Sequence, residues 1–420
     1  EPKIMLLSNT HAIAQVLNIN TIDIRNVTFK DVCTDTRKRM DGALFIALVG
    51  DNFDAHDYVN QAQKMGAVAL VVSKKVDSSL PTLVVENTQN ALSEIATWHL
   101  HNIKPKVIAI TGSNGKTTLK NILKNILKLK APTLATKGNL NNHLGVPMTL
   151  LRLKEKHQYA VIEMGANHLG EISHLCKIAS PDIAVVTNTL DAHIGEFGGF
   201  NNLVKAKGEI YSSHCKNIVN TQTSFTGDVS FGEGGNIFAN NINNNCFDLN
   251  IFDKKVRVIL QLLGRHNIDN ALAASACACA LEIDIKLIKQ GLEKTQAEKG
   301  RLNIIQKSHL TIIDDSYNAS PSSSKYALEV LNSFTGKKIA VLGKMAELGD
   351  KSDAYHRQIG DFAKSLDISQ LYSFQSDYGV QNFNNEAQLL TTLKQHTDCT
   401  ILFKGSRVAK LEQIIKKLCV

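Results

Sequence analysis

The stretch Thr111-Gly112-Ser113-Asn114-Gly115-Lys116-Thr117-Thr118 constrains the fold more than any other. Four apolar residues, Val107 to Ile110, precede it and predict a buried strand. Leu119, Ile122, Leu123, Ile126 and Leu127 follow at helical spacing. Strand, glycine turn and helix is the geometry that aims backbone N–H groups at a phosphate. Gly112 and Gly115 let the backbone come close, Lys116 reaches terminal phosphates as a point charge, and the Thr117 hydroxyl suits Mg²⁺. Ser113, Asn114 and Thr118 belong to the same cofactor-binding set. Ile110 stands where the first glycine of G-x-x-x-x-G-K-[ST] belongs, so the loop is a variant of that motif. The alternative is a tight turn that caps a helix by chance; Lys and Thr in register after a strand argue against it.

A chain of 420 residues holds two to four domains. Apolar residues make up 43% and charged residues 20%, as in ordinary globular proteins. The net charge of +8 is spread out, with short clusters such as Arg37-Lys38-Arg39 and no interleaved aromatics. That favours a diphosphate or nucleotide over a nucleic-acid surface. No run predicts a membrane span, and Glu1-Pro2-Lys3 begins no signal peptide. The first residue is not Met, so a few native residues are expected to be missing. Eight cysteines form no C-x-x-C pair, which predicts buried thiols in a reducing compartment.

In chain order, the first ~85 residues predict a small α/β domain, with strands at Ala43–Leu48, Ala67–Val72 and Leu83–Val85. Arg37 beside a turn is a candidate phosphate contact. Ala91 to Ile103 predicts a connecting helix carrying the one Trp, Trp98, as a packing residue. From Lys106 to about Lys299 strands and helices alternate, as in a mostly parallel sheet. Glu163 ends the strand Tyr159–Glu163, and the strand Asp182–Thr187 closes on Asn188 and His193. Ligands collect at the carboxyl ends of such strands, so Thr117, Glu163 and His193 are expected to converge on metal. Gly138 to Pro147, rich in Asn and Gly, predicts a shaped loop, and about Thr221 to Asn250 predicts irregular β structure. A small-residue helix, Ala271 to Ala280, follows. Asn and His at its start are expected to act as simple caps. After Gly300-Arg301, strands at Leu310–Asp314, Lys338–Gly343 and Thr400–Lys404 predict a doubly wound domain, with a helix starting near Ser322. Gly405-Ser406-Arg407 is a further candidate anion site.

These motifs resemble the Mur ligases of bacterial cell-wall synthesis. The T-G-S-N-G-K-T-T loop is shared with folylpolyglutamate synthetases. Gly138 to Pro147, Glu163-Met-Gly-Ala166, Ala192-His193, Ala206-Lys207, Gly264-Arg-His-Asn267 and Lys404-Gly-Ser-Arg407 extend the likeness over nearly the whole chain. Asp314-Asp-Ser-Tyr-Asn-Ala-Ser-Pro321 and Gly343-Lys-Met-Ala-Glu-Leu-Gly349 resemble the member that adds D-alanyl-D-alanine. Lys344 departs from an expected acidic residue, and Lys299 from an expected Pro.

The resemblance implies an α/β chain of three domains. Residues 1–85 would bind the UDP substrate. Residues 86–299 would form a P-loop-type parallel-sheet ATPase domain, and residues 300–420 a Rossmann-like doubly wound ligase domain. It implies ATP-dependent joining of D-alanyl-D-alanine to UDP-N-acetylmuramoyl-tripeptide through an acyl phosphate, in a cytoplasmic monomer with no nucleic-acid partner. It further implies two Mg²⁺ ions, one on Thr117 and Glu163, the other on His193 and a carbamylated Lys207, with Lys116, Lys207 and His193 catalytic. Asn270 would contact adenine, and Arg301 and Asp315 the phosphates and ribose. The substrates would meet Asp35, Thr36, Arg37, Asn141, Asn142, Tyr317 and Asn318. Another Mur-type ligase, a folylpolyglutamate synthetase and a nucleotide switch are the alternatives.

Overall fold

The computed structural model describes residues 9–190 and 194–419. The chain divides into two compact units: Glu1–Ala109 with Ala131–Gly165 and Glu171–Asp182, and Ile110–Lys130 with Ala166–Gly170 and Ile183–Val420.

In the first unit, β1 (Asp31–Cys33), β2 (Ala43–Ile46), β5 (Ala67–Val72) and β6 (Thr82–Val84) form a parallel sheet in that order. A short hairpin, β3 (Val49–Gly50) and β4 (Phe53–Asp54), lies between β2 and β5 in sequence. All four residues of β2 are buried, which explains its unbroken apolar run: a parallel strand is covered on both faces. Phe45, Leu70 and Val72 pack there with Val59 and Ala62. The helix Thr88–Ile103 starts three residues before its expected position because the Asn87 side chain accepts from the amides of Gln89 and Asn90. It ends at Lys104, in the left-handed region, just ahead of Pro105. Trp98 on this helix is half-buried. β7 (Lys106–Thr111) runs across the division, and β8 (Thr133–Ala135) pairs in parallel with β9 (Tyr159–Glu163). The end of the Asn-rich stretch is not loop: Gly145 to Leu150 is a helix.

In the second unit, β10 (Ile183–Val186), β11 (Lys216–Asn220), β12 (Val229–Phe231) and β13 (Ile237–Asn243) are successive parallel neighbours. β13, β14 (Cys246–Ile251) and β15 (Lys254–Ile259) continue antiparallel. This region is a regular ladder with one register shift, not the irregular structure that its Asn and Gly content suggests. The Asn residues lie on the more exposed face, while Phe247, Leu249 and Ile251 alternate inward. The helix Arg265–Ala280 is buried along most of its length, which explains its small residues. It has no side-chain cap: Asn267 instead donates back to the Leu263 carbonyl at 2.7 Å.

The rest of this unit comprises β16 (Asn303–Lys307), β17 (Leu310–Asp315), β18 (Lys337–Gly343), β19 (Gln370–Phe374), β20 (Gln381–Phe383) and β21 (Cys399–Lys404). Their order is β16-β17-β21-β18-β19-β20, with only β16 antiparallel to its neighbour. Two apolar clusters flank this sheet, one around Ile339, Ile401 and Ile414, the other around Ile313, Leu328 and Leu402. The helix Pro321–Asn332 opens with a capping box between Ser320 and Ser323 and with Pro at its first position. All eight cysteines are free thiols; Cys215, Cys277 and Cys399 are buried and the others half-buried. Among the described residues no helix is long and apolar enough to cross a membrane.

The helix that follows the glycine loop, Lys116–Lys128, buries Leu119, Ile122, Leu123, Ile126 and Leu127. The helix Ile285–Lys294 lies directly against it at Gly291. A Cβ there would stand 2.5 Å from the Ile126 Cα and 2.8 Å from its backbone nitrogen. Gly291→Ala gains about 1 kcal/mol of helix propensity. It also forces backbone against backbone, an overpacking that costs about 1–3 kcal/mol. Since no side-chain rotation relieves the clash, we expect net destabilisation, read as a lower urea midpoint at unchanged slope.

Candidate active site

The glycine loop is held from behind by the end of β10. Ser113 N–H donates to the Asn188 carbonyl at 3.0 Å, and Asn114 N–H donates to Asn188 Oδ1 at 3.0 Å. The Asn114 carbonyl accepts from Thr187 Oγ1 at 2.6 Å and from Asn188 Nδ2 at 3.3 Å. Ser113 Oγ and Leu190 exchange hydrogen bonds at 2.8 and 2.9 Å. Gly112 and Gly115 have φ of +140° and +81°. A Cβ on either would overlap a side-chain oxygen, Thr187 Oγ1 in the first case and Asn270 Oδ1 in the second. Both positions therefore require glycine. The amides of Ser113 and Asn114 are thus engaged on Asn188, directly ahead of the helix Lys116–Lys128.

Lys116 arches over the loop, its ammonium 2.7 Å from the Gly112 carbonyl and 3.1 Å from that of Ser113. The Thr117 hydroxyl is buried and accepts from the Arg301 guanidinium at 3.1 Å. Arg301 stacks on the Tyr317 ring, 4.4 Å from its centroid. Thr118 is half-buried in the first helical turn. Asn270 is buried beside Gly115 and donates to Asn267 Oδ1 at 3.0 Å. Asp315 ends β17 in a buried ion pair with Lys404, 2.7 Å, and also accepts from the Leu302 amide. The His266 ring stacks on Tyr326 with centroids 5.1 Å apart. Burial pushes His266 down to about 4, with Asp315 opposing the shift and Lys404 adding to it. Tyr317 is half-buried and Asn318 exposed; the Asn318 carbonyl accepts from Lys404 at 2.8 Å.

Lys207 is buried on the helix Phe200–Gly208, whereas Lys205 on the same helix is exposed. The Lys207 ammonium lies 3.4 Å from the Ala166 carbonyl and 5.1 Å from the centroid of the Phe197 ring. A carbonyl oxygen and an aromatic face suit a cation, and both disfavour the anionic carbamate implied by the resemblance. These contacts lend the carbamate no support. Tyr211, four residues beyond Lys207, has a task of its own. Its hydroxyl accepts from the Val186 amide at 3.1 Å and donates to the Ile218 carbonyl at 2.8 Å, joining β10 to β11.

In the first unit, Glu163 is buried at the end of β9. It accepts from Asn141 Nδ2 at 2.9 Å, and its own amide donates to Thr136 Oγ1. Asn142 is exposed and accepts from the Gly145 amide at 2.9 Å, shaping the turn into the following helix. Asp35 and Arg37 form a two-pronged pair at 2.8 and 3.1 Å, and Arg37 holds the Asp35 carboxyl below its ordinary range. Thr36 offers its carbonyl to Gln61. His193 lies outside the described residues. Among those described, no three His, Cys, Asp or Glu side chains form a metal cluster. Sequence reasoning missed Thr187 as a brace and Ser322, whose hydroxyl accepts from Asn114 Nδ2 at 2.8 Å. Thr187 was signalled by its place at a strand end; Ser322 was read only as the start of a helix, with no link to the glycine loop.

Residues 110–278 match the Mur ligase middle domain, and residues 300–419 match the Mur ligase, glutamate ligase domain. A UDP-N-acetylmuramoyl-tripeptide–D-alanyl-D-alanine ligase of Haemophilus influenzae is 37% identical, over 99% of each chain. Its counterpart in Escherichia coli is 39% identical, over 94% of each. The crystal structure of MurF from Acinetobacter baumannii superimposes with a TM-score of 0.94 at 38% identity, covering 100% of this chain and 99% of that one. MurF from Thermotoga maritima, in complex with ADP, gives 0.84 at 29% identity, over 92% and 96%. On this full-length likeness and the two domain matches, the chain belongs to the Mur ligase family.

Proposed function

We propose that the chain uses ATP to join the amine of D-alanyl-D-alanine to the terminal carboxylate of UDP-N-acetylmuramoyl-tripeptide, releasing ADP and phosphate. The observation that carries this reading is the braced glycine loop with Lys116 across it and Thr117 in its first turn. That loop occurs in a chain 37–39% identical, over nearly its full length, to ligases of that name.

In the reaction the γ-phosphoryl group passes to the tripeptide carboxylate, and the dipeptide amine then displaces phosphate from the acyl carbon. Both steps gather negative charge on oxygen. The Lys116 ammonium and the amides of Gly115 to Thr118 would stabilise that charge without rearranging. Arg301 is the second cation near the loop and would bear on the phosphates. Asp315, held by Lys404, would meet the ribose, and Asn270 the adenine. Ser113, Asn114 and Thr118 complete the nucleotide set. Tyr317 and Asn318 would face the dipeptide. Asp35, Thr36 and Arg37 would approach the uridine diphosphate, and Asn141 and Asn142 the acceptor peptide.

Mg²⁺ fits the donor chemistry: the Thr117 hydroxyl and the Glu163 carboxylate are hard oxygen ligands. Mg²⁺ commonly takes one or two protein oxygens and completes its shell with water and phosphate. When bound, the ion would neutralise charge on the transferring phosphates. Residues 1–85, 86–299 and 300–420 would act as the UDP, ATP and ligase domains. We take the chain to act as a monomer, and its eight free thiols fit the reducing setting of the cytoplasm.

The decisive assay measures ADP and phosphate with UDP-tripeptide, with and without D-alanyl-D-alanine. Sustained amine-dependent release is expected; AMP in proportion to product, or turnover indifferent to the amine, would overturn the reading. Lys116→Ala should cut turnover by roughly 10² or more. A melting curve measured beside the kinetics should show a folded variant, which separates lost catalysis from lost fold. Lys207→Ala should strongly depress turnover while Lys205→Ala stays active, matching their opposite exposure. Parallel kinetics of the two variants check this.

A further inference from the structure

Asn114 sits at the tip of the phosphate loop with its backbone fixed on both sides, yet its side-chain amide points away from the loop. Asn114 Nδ2 donates to Ser322 Oγ at 2.8 Å, and Ser320 Oγ reaches Asn114 Oδ1 at 3.5 Å. Both serines open the helix Pro321–Asn332, directly after the segment that carries Asp315, Tyr317 and Asn318. A second bond, Arg301 to the Thr117 hydroxyl, ties the other end of the loop to the same region, with Arg301 resting on Tyr317. Among the described residues, the side-chain hydrogen bond of Ser322 to the proposed nucleotide set is the one with the Asn114 amide. Its hydroxyl also lies 3.4 Å from that of Ser320, which caps the helix on Ser323. The capping box is therefore complete without Ser322, and helix stability alone does not demand this residue.

We propose that Ser322 is a positioning residue: its bond to Asn114 registers the ligase domain against the phosphate loop, so that the amine acceptor is in place when the acyl phosphate forms. The proposal rests on the ligase reading given above. Where the register is lost, water competes for the acyl phosphate. It attacks the carbonyl carbon, the carbonyl–phosphate C–O bond breaks, and free carboxylate, phosphate and a proton result. The turnover of ATP then exceeds amide formed.

The test measures ADP and amide product together. The wild-type chain comes first: failure of amine-dependent ADP release there counts against the ligase reading, not against Ser322. With wild-type ligation in hand, Ser322→Ala should raise both the ADP-to-amide ratio and the KM for D-alanyl-D-alanine. The expected KM change is roughly fivefold, the size of one neutral hydrogen bond, with the KM for ATP nearly unchanged. Ser322→Thr, which keeps the hydroxyl, should restore tight coupling. A merely structural role would lower active protein without moving the ratio. An unchanged ratio and dipeptide KM in a folded Ser322→Ala variant overturns the proposal. If Ser322→Ala unfolds, Ser322→Cys keeps the volume, weakens the acceptor and is read by the same two outcomes.

Discussion

The Asn188 side chain and its neighbour Thr187 do for the phosphate loop what a mould does for a casting. Two amides and a carbonyl of the loop are taken up by the end of β10, so its backbone is shaped before any ligand arrives. Preorganised donors act on developing charge without the cost of turning toward it, and that is why such loops are effective. The two glycines follow from the same constraint. Thr187 and Asn270 stand so close to the loop that no side chain fits at 112 or 115.

Beyond residue 300 the corresponding fixed point is the buried pair of Asp315 and Lys404. An ion pair removed from water is held by geometry and further hydrogen bonds more than by its own attraction, and here each partner has them. Asp315 accepts from the Leu302 amide, and Lys404 donates to the Asn318 carbonyl. Three strand-end segments are thereby pinned at one edge of the sheet. The neighbouring His266 imidazole stays neutral at physiological pH, so it adds no third charge to the pair.

What could be read in the sequence was what is local in the chain. The glycine loop, its strand and the helix behind it declare themselves within about twenty residues, and β9 ending on Glu163 is visible in its apolar run. The doubly wound order after Gly300 follows from the alternation of strand and helix. The β13–β15 ladder was obscured because Asn residues on its exposed face drown the inward alternation of Phe247, Leu249 and Ile251. The bond between Asn114 and Ser322 joins positions 208 apart, and no local pattern encodes such a meeting. Lys207 was singled out by family likeness alone; its burial follows from helix phase, and its carbonyl and aromatic neighbours from folding.

The close approach of Gly291 to Ile126 reaches further than its own neighbourhood. Ile126 lies ten residues beyond Lys116 on one uninterrupted helix, about 15 Å along its axis. A helix of that length is a stiff rod, so its far end and its phosphate end cannot be placed independently. A change at the packing face of the helix Ile285–Lys294 is therefore felt at the glycine loop as well as in its own neighbourhood.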